Sequence, residues 1–160
     1  KKCLGFDMNV SVYDPYVDKE VIQSLGGKKI SDFGQALKEA DILSLSLPLN
    51  KQTKNFISLN EMSIMKKSAV LINISRGGIV NEKDLNKALD DKLISFAGID
   101  VFEKEPPDLN NPLLKNKRVL LSPHAATFTR ECLENMSIET VQNIIDFFEN
   151  KIDPIKVVKL

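Results

Sequence analysis

The sequence predicts an α/β domain built on a doubly wound parallel sheet. Near-continuous apolar runs, such as residues 42–47 and 69–74, recur along the chain, with amphipathic helical patterns between them. That alternation is the signature of parallel strands joined by helical crossovers, with helices on both faces of the sheet. In addition, single polar residues stand just past several of these runs. They are Arg76 in Asn73-Ile-Ser-Arg-Gly-Gly-Ile-Val80, Glu105 in Gly98-Ile-Asp-Val-Phe-Glu-Lys-Glu-Pro-Pro107, and His124 in Leu120-Leu-Ser-Pro-His-Ala-Ala126.

The elements follow in order. Residues 1–5 read as the end of a helix. Residues 8–13 form a strand closed by Asp14-Pro15, and 31–40 a short helix capped by Ser31 or Asp32. Residues 42–47 form a buried strand stopped by Pro48. Residues 59–67 are a helix with Leu59, Met62 and Met65 on one face, followed by the strand at 69–74. Asn81 caps a helix over 81–93 that turns Leu85, Ala88 and Leu89 inward. Residues 96–101 are a strand, 104–113 a proline-rich loop, and 118–122 the last strand. A long amphipathic helix at 129–150 is expected to pack Leu133, Met136, Ile144 and Phe148 on or near a core, and 151–160 form a short basic, apolar tail.

Composition narrows the function classes. The 160 residues are 42% hydrophobic and 28% charged, with 22 basic and 22 acidic residues, so a folded core is affordable and a polyanion partner is not indicated. No apolar run approaches the roughly 18 residues that span a bilayer, and the start of the chain does not read as a signal peptide. Cys3 and Cys132 lack metal or redox spacing and read as reduced thiols of a cytoplasmic protein. With one histidine and two separated cysteines, no metal centre is expected.

Each polar residue has a chemical and a structural reading. Gly77-Gly78 allows a sharp turn and close approach of a ligand, where Arg76 can grip a carboxylate with two parallel hydrogen bonds. Asp100, a carboxylate in an apolar strand, is costly unless it is paired or serves a ligand. Glu105 and Glu103 compete for a place beside His124, where a carboxylate would fix the imidazole tautomer; Glu103 and Lys104 read as solvated. Asp14 either forms a turn before proline or, at a strand end, accepts hydrogen bonds from ribose hydroxyls, which would favour NAD over NADP.

Dinucleotide folds place a Gly-rich turn about 20 residues before that acidic position. Only 13 residues precede Asp14, and the chain opens on Lys1 rather than methionine. It therefore reads as a Rossmann-type sheet without its first strand and Gly-rich loop, which would expose the edges that strand separates.

The segments around Asp14, Arg76, Glu105 and His124 resemble the D-isomer-specific 2-hydroxyacid dehydrogenases, in order and spacing and over nearly the whole chain. The resemblance implies a partial NAD-binding domain at 1–128. A helix and tail at 129–160 would return toward a separate substrate domain, the active site lying in the cleft between the two. It implies Arg76, Glu105 and His124 as the catalytic set, acting on a small 2-hydroxy or 2-keto acid. It implies NAD contacts at Asp14, Leu47, Pro48, Thr53, Ile74, Ser75, Arg76, Asp100, His124 and Ala126, and a homodimer. Within the family, phosphoglycerate dehydrogenase of serine biosynthesis is the first expectation and glyoxylate/hydroxypyruvate reductase the second. A formate dehydrogenase-type enzyme ranks behind them, because its histidine motif pairs with a glutamine. A nonenzymatic NAD-sensing corepressor, or an inactive fragment, is the reading from another class.

Overall fold

The computed structural model describes residues 1–157; the last three residues of the expected basic tail lie outside them. The chain divides into two units, Lys1–His124 and Ala125–Leu160.

The first unit carries six strands and four helices. β1 (Ser11–Val12), α1 (Lys19–Ser24), β2 (Lys28–Lys29) and α2 (Phe33–Glu39) come first. β3 (Ile42–Leu45), α3 (Leu59–Ile64), β4 (Val70–Asn73), α4 (Glu82–Asp90), β5 (Phe96–Ile99) and β6 (Val119–Leu121) follow. Short 3-10 turns occupy Leu4–Phe6, where the end of a helix was expected, and Pro112–Lys115. Every strand pairing is parallel, in a four-stranded sheet of order β3-β4-β5-β6 and a separate pair β1-β2. This is the Rossmann-like α/β fold expected, with its sheet in two pieces.

Burial alternates with the two-residue period of the strands. Aligned rows Leu43, Leu71, Ala97, Val119 and Leu45, Asn73, Ile99, Leu121 point into the core. α2 packs on α3 and α3 on α4. Leu37, Met62, Leu85, Ala88 and Leu89 are all at most 1% exposed. On the opposite face Ile42, Phe96 and Leu120 are exposed.

Local chemistry explains the helix ends. The Asp32 and Asn81 side chains accept the amides of Gln35 and Asp84, as N-caps do. Ser58 and Glu61 form a capping box at the start of α3. Asp84 also accepts the Leu59 amide at 3.0 Å, tying α4 to the first turn of α3. The sequence reading passed over α1 and β2. α1 is six residues long, with Ile22 buried, and β2 is two lysines in line with Ser11 and Val12. Tyr13, Phe33 and Phe56 form a chain of ring contacts, with centroids 5.0 and 4.9 Å apart, joining the end of β1 to α2 and the segment after β3.

The second unit is α5 (Arg130–Phe148), capped by the Thr129 hydroxyl on the Cys132 amide, followed by a 3-10 turn at Pro154–Lys156. No residue of α5 is buried, and Leu133, Met136, Ile144 and Phe148 are exposed. The expected core packing of this helix is therefore corrected. Its apolar residues have only one short turn of their own unit to lie against, and a lone helix makes no core. No helix among the described residues is long and apolar enough to cross a membrane.

Candidate active site

In a parallel sheet all strands end on the same edge, and in open α/β sheets ligands bind in the crevice outside those carboxyl ends. Leu47-Pro48 lies past β3, Ile74-Ser75-Arg76 past β4, Asp100 past β5, and Ser122 to His124 past β6. Backbone bonds continue the ladder into this edge. Asp100 N donates to Asn73 O at 3.0 Å, Ser122 N to Ile99 O at 3.1 Å, and His124 N to Asp100 O at 2.8 Å.

Asp100, Glu105 and His124 form one connected group. The Asp100 side chain is buried, and its Oδ1 accepts the Ser122 hydroxyl at 2.6 Å. The Asp100 carbonyl holds the His124 backbone, which adopts a left-handed conformation with φ 53°. A non-glycine residue there is uncommon and must be held by its surroundings. His124 Nδ1 lies 2.7 Å from Glu105 Oε2, and Glu105 Oε1 accepts the Phe102 amide at 3.0 Å. The bond to His124, followed by that from the Phe102 amide, holds the Glu105 carboxyl below the usual carboxylate range. Both side chains remain open, His124 50% and Glu105 39% exposed. Glu103 and Lys104 are exposed.

Arg76 lies on the turn after β4. Asn73, buried at the strand end, shapes that turn: its Oδ1 accepts the Ser75 amide and hydroxyl, and its Nδ2 donates to Arg76 O at 3.0 Å. The exposed guanidinium donates to Ser75 O at 2.7 Å, using one of five N–H donors. Gly77 packs directly on the backbone of the neighbouring loop. A Cβ there would lie 1.8 Å from Phe102 O, so any side chain would drive the Arg76 turn off the segment that leads to Glu105. Gly78, at φ +80°, takes the left-handed conformation that favours glycine.

The remaining candidates are more dispersed. The Thr53 hydroxyl donates to Pro48 O at 2.6 Å and accepts the Asn50 amide at 2.8 Å, closing the loop after β3 on itself. Leu47 packs against the core, and Ile74 is exposed. Asp14 stands past β1 on the other sheet, where its Oδ1 accepts the amides of Tyr16 and Val17 at 2.8 and 3.1 Å; the turn-forming role is thus present. Ala126 belongs to the second unit. Sequence reasoning missed two residues, Asn73 and Ser122. The signal for both was a hydrogen-bonding side chain at a strand end beside the motif residue.

Among the described residues, no group of three or more His, Cys, Asp or Glu side chains could hold a metal ion. The polar groups at the sheet edge are instead a carboxylate pair, an imidazole and a guanidinium, which suit an organic acid and a nicotinamide cofactor.

Known proteins match this arrangement. Residues 1–126 match the model of the D-isomer specific 2-hydroxyacid dehydrogenase, NAD binding domain. A D-3-phosphoglycerate dehydrogenase of Methanocaldococcus jannaschii is 40% identical over 131 residues, covering 82% of this chain and 25% of that protein. A glyoxylate reductase of Thermococcus litoralis is 40% identical over 154 residues, covering 96% of this chain and 46% of that protein. The crystal structure of a D-isomer specific 2-hydroxyacid dehydrogenase from Lactobacillus delbrueckii ssp. bulgaricus, in its NAD complexed form, superposes with a TM-score of 0.83. It is 31% identical, and the match covers 98% of this chain and 50% of that one. The chain thus spans between a quarter and a half of the relatives it matches. With its parallel sheet and the polar residues at its edge, this chain belongs to the D-isomer specific 2-hydroxyacid dehydrogenase family, within the NAD-binding domain.

Proposed function

We propose that this chain serves an NAD-dependent oxidoreductase that interconverts a D-2-hydroxy acid and its 2-keto acid. The observation that carries the reading is the His124–Glu105 pair at 2.7 Å, set at the carboxyl edge of the sheet beside the Arg76 turn. In this role Arg76 grips the substrate carboxylate and polarises the C2 carbonyl. Glu105 takes Nδ1–H of His124, which leaves Nε2 as the nitrogen that exchanges a proton. In reduction His124 gives that proton to the carbonyl oxygen; in oxidation it removes the proton from the hydroxyl. A bound nicotinamide cofactor would supply the hydride in reduction and take it up in oxidation.

The same reading gives the cofactor its contacts. Asp14 accepts the adenosine ribose hydroxyls with the oxygen outside its turn, and Asp100 meets the nicotinamide carboxamide. Leu47, Pro48, Thr53, Ile74 and Ser75 line the path between. The protein works as a homodimer in the cytoplasm, a state that sedimentation of the full-length gene product checks.

D-3-phosphoglycerate is the first substrate proposed, the hydroxy acid oxidised at C2 in a serine-forming route, supported by the relative from M. jannaschii. Glyoxylate is the second, favoured by the T. litoralis relative, equally identical over more of this chain. The test follows NADH absorbance of the full-length gene product with hydroxypyruvate phosphate, hydroxypyruvate and glyoxylate, beside His124→Ala. Turnover lost in the variant is expected, by roughly 10²-fold or more for removal of a general acid. NADH binding without reduction of any keto acid would move the reading to a cofactor sensor.

A further inference from the structure

We propose that Glu82 is a positioning residue for the His124–Glu105 pair, strapping the loop that carries Glu105 to the first turn of α4. The proposal rests on the reading of that pair as the proton-transfer unit.

The loop leaves the core at Val101 and Phe102 and returns to it at Leu113, all three buried. Between them Glu103, Lys104, Glu105, Pro106 and residues 108–110 are exposed and outside any helix or strand. Glu105's own bond to the Phe102 amide is local and fixes the side chain only relative to that loop. Glu82 supplies an attachment from outside. One oxygen of its carboxylate accepts the Glu103 amide, and the other accepts Asn111 Nδ2 at 2.6 Å. Asn111 in turn receives the Leu113 amide on its Oδ1 at 3.1 Å, so the strap reaches the buried end of the loop.

The anchor itself is rigid. Glu82 is the first residue of α4, directly after the Asn81 cap, and Leu85, Ala88 and Leu89 seat that helix in the core. Gly77 presses on the Phe102–Glu103 peptide from another side. A single carboxylate thus holds two donors eight residues apart, on either side of Glu105. Charge-assisted bonds of this kind are about twice as strong as neutral ones. Without them the exposed span is free to shift, and a displacement near 1 Å at a catalytic group costs on the order of 10²-fold in rate.

The test uses the full-length gene product with Glu82→Gln and Glu82→Ala, each also combined with Glu105→Ala. Glu82→Gln keeps size and can satisfy only one of the two donors, so it covers the case in which the alanine variant folds poorly. kcat is expected to fall roughly ten- to a hundredfold with KM for NADH unchanged. In the Glu105→Ala background the same change is expected to add nothing, because residues acting through one another are not additive. Amide exchange over residues 101–108 is expected to rise in both variants. Unchanged exchange, or an equal fall in kcat with and without Glu105, overturns the proposal while leaving the proton-transfer reading intact. A wild-type protein that turns over no keto acid removes that reading, and the positioning role falls with it.

Discussion

Glu105 is where charge and geometry meet most directly. Its carboxyl is held low first by the bond to His124 and then by the Phe102 amide. A depressed native pKa stabilises the folded state above the ordinary glutamate value, about 4.3, and that contribution is lost as pH falls through the lower native value. Glu105→Gln is therefore expected to flatten the acid limb of a Tm-against-pH curve. It should also lower kcat by roughly 10²-fold, since the imidazole loses the partner that fixes its tautomer. A variant with an unchanged curve and unchanged kcat would separate Glu105 from His124. The pair was legible in the sequence because the chain has one histidine, and of the two neighbouring glutamates only Glu105 stands directly before two prolines. What the sequence hid were the partners. Ser122 is an ordinary polar residue until the parallel register sets it beside Asp100, and Asn73 until the chain turns back onto it at Ser75 and Arg76.

Among the elements, α4 has the most to hold. Its cap, its buried face, the Asp84 bond to α3 and the Glu82 strap all depend on one helix start. Asn81→Ala is expected to cost about 1 kcal/mol of stability, measured by denaturant unfolding of the full-length protein, through the lost bond to the Asp84 amide. A loss below a few tenths would show the helix start to be fixed from elsewhere. α4 was readable in advance because cap and 3.6-residue period agree. α1 and β2 were not: a six-residue helix offers under two turns of pattern, and Lys28 and Lys29 become a strand only through pairing with β1. α5 shows the opposite error. Its length was legible, but amphipathicity says that a face wants cover and not what covers it.

At the scale of the whole molecule the sheet is the telling feature, because it stands in two pieces. The seven glycines form no Gly-x-Gly-x-x-Gly pattern, the turn that in dinucleotide folds opens the helix whose N-terminus cradles a pyrophosphate. These 160 residues are expected to bind NAD weakly on their own, with calorimetry as the check; a micromolar dissociation constant would sink that expectation. Five of the six strands were legible from the apolar runs, whereas the order of the strands and the division of the sheet follow from pairing between segments distant in sequence.

The aromatic chain Tyr13–Phe33–Phe56 bears on all of this. Asp14 follows the first ring, and Asp100 stands on the other piece of sheet. On the reading proposed above, the two carboxylates meet opposite ends of one ligand, and the three rings fasten the Asp14 end to the core, where Phe33 and Phe56 pack. Side chains that never touch the dinucleotide would then steady one of its two holds.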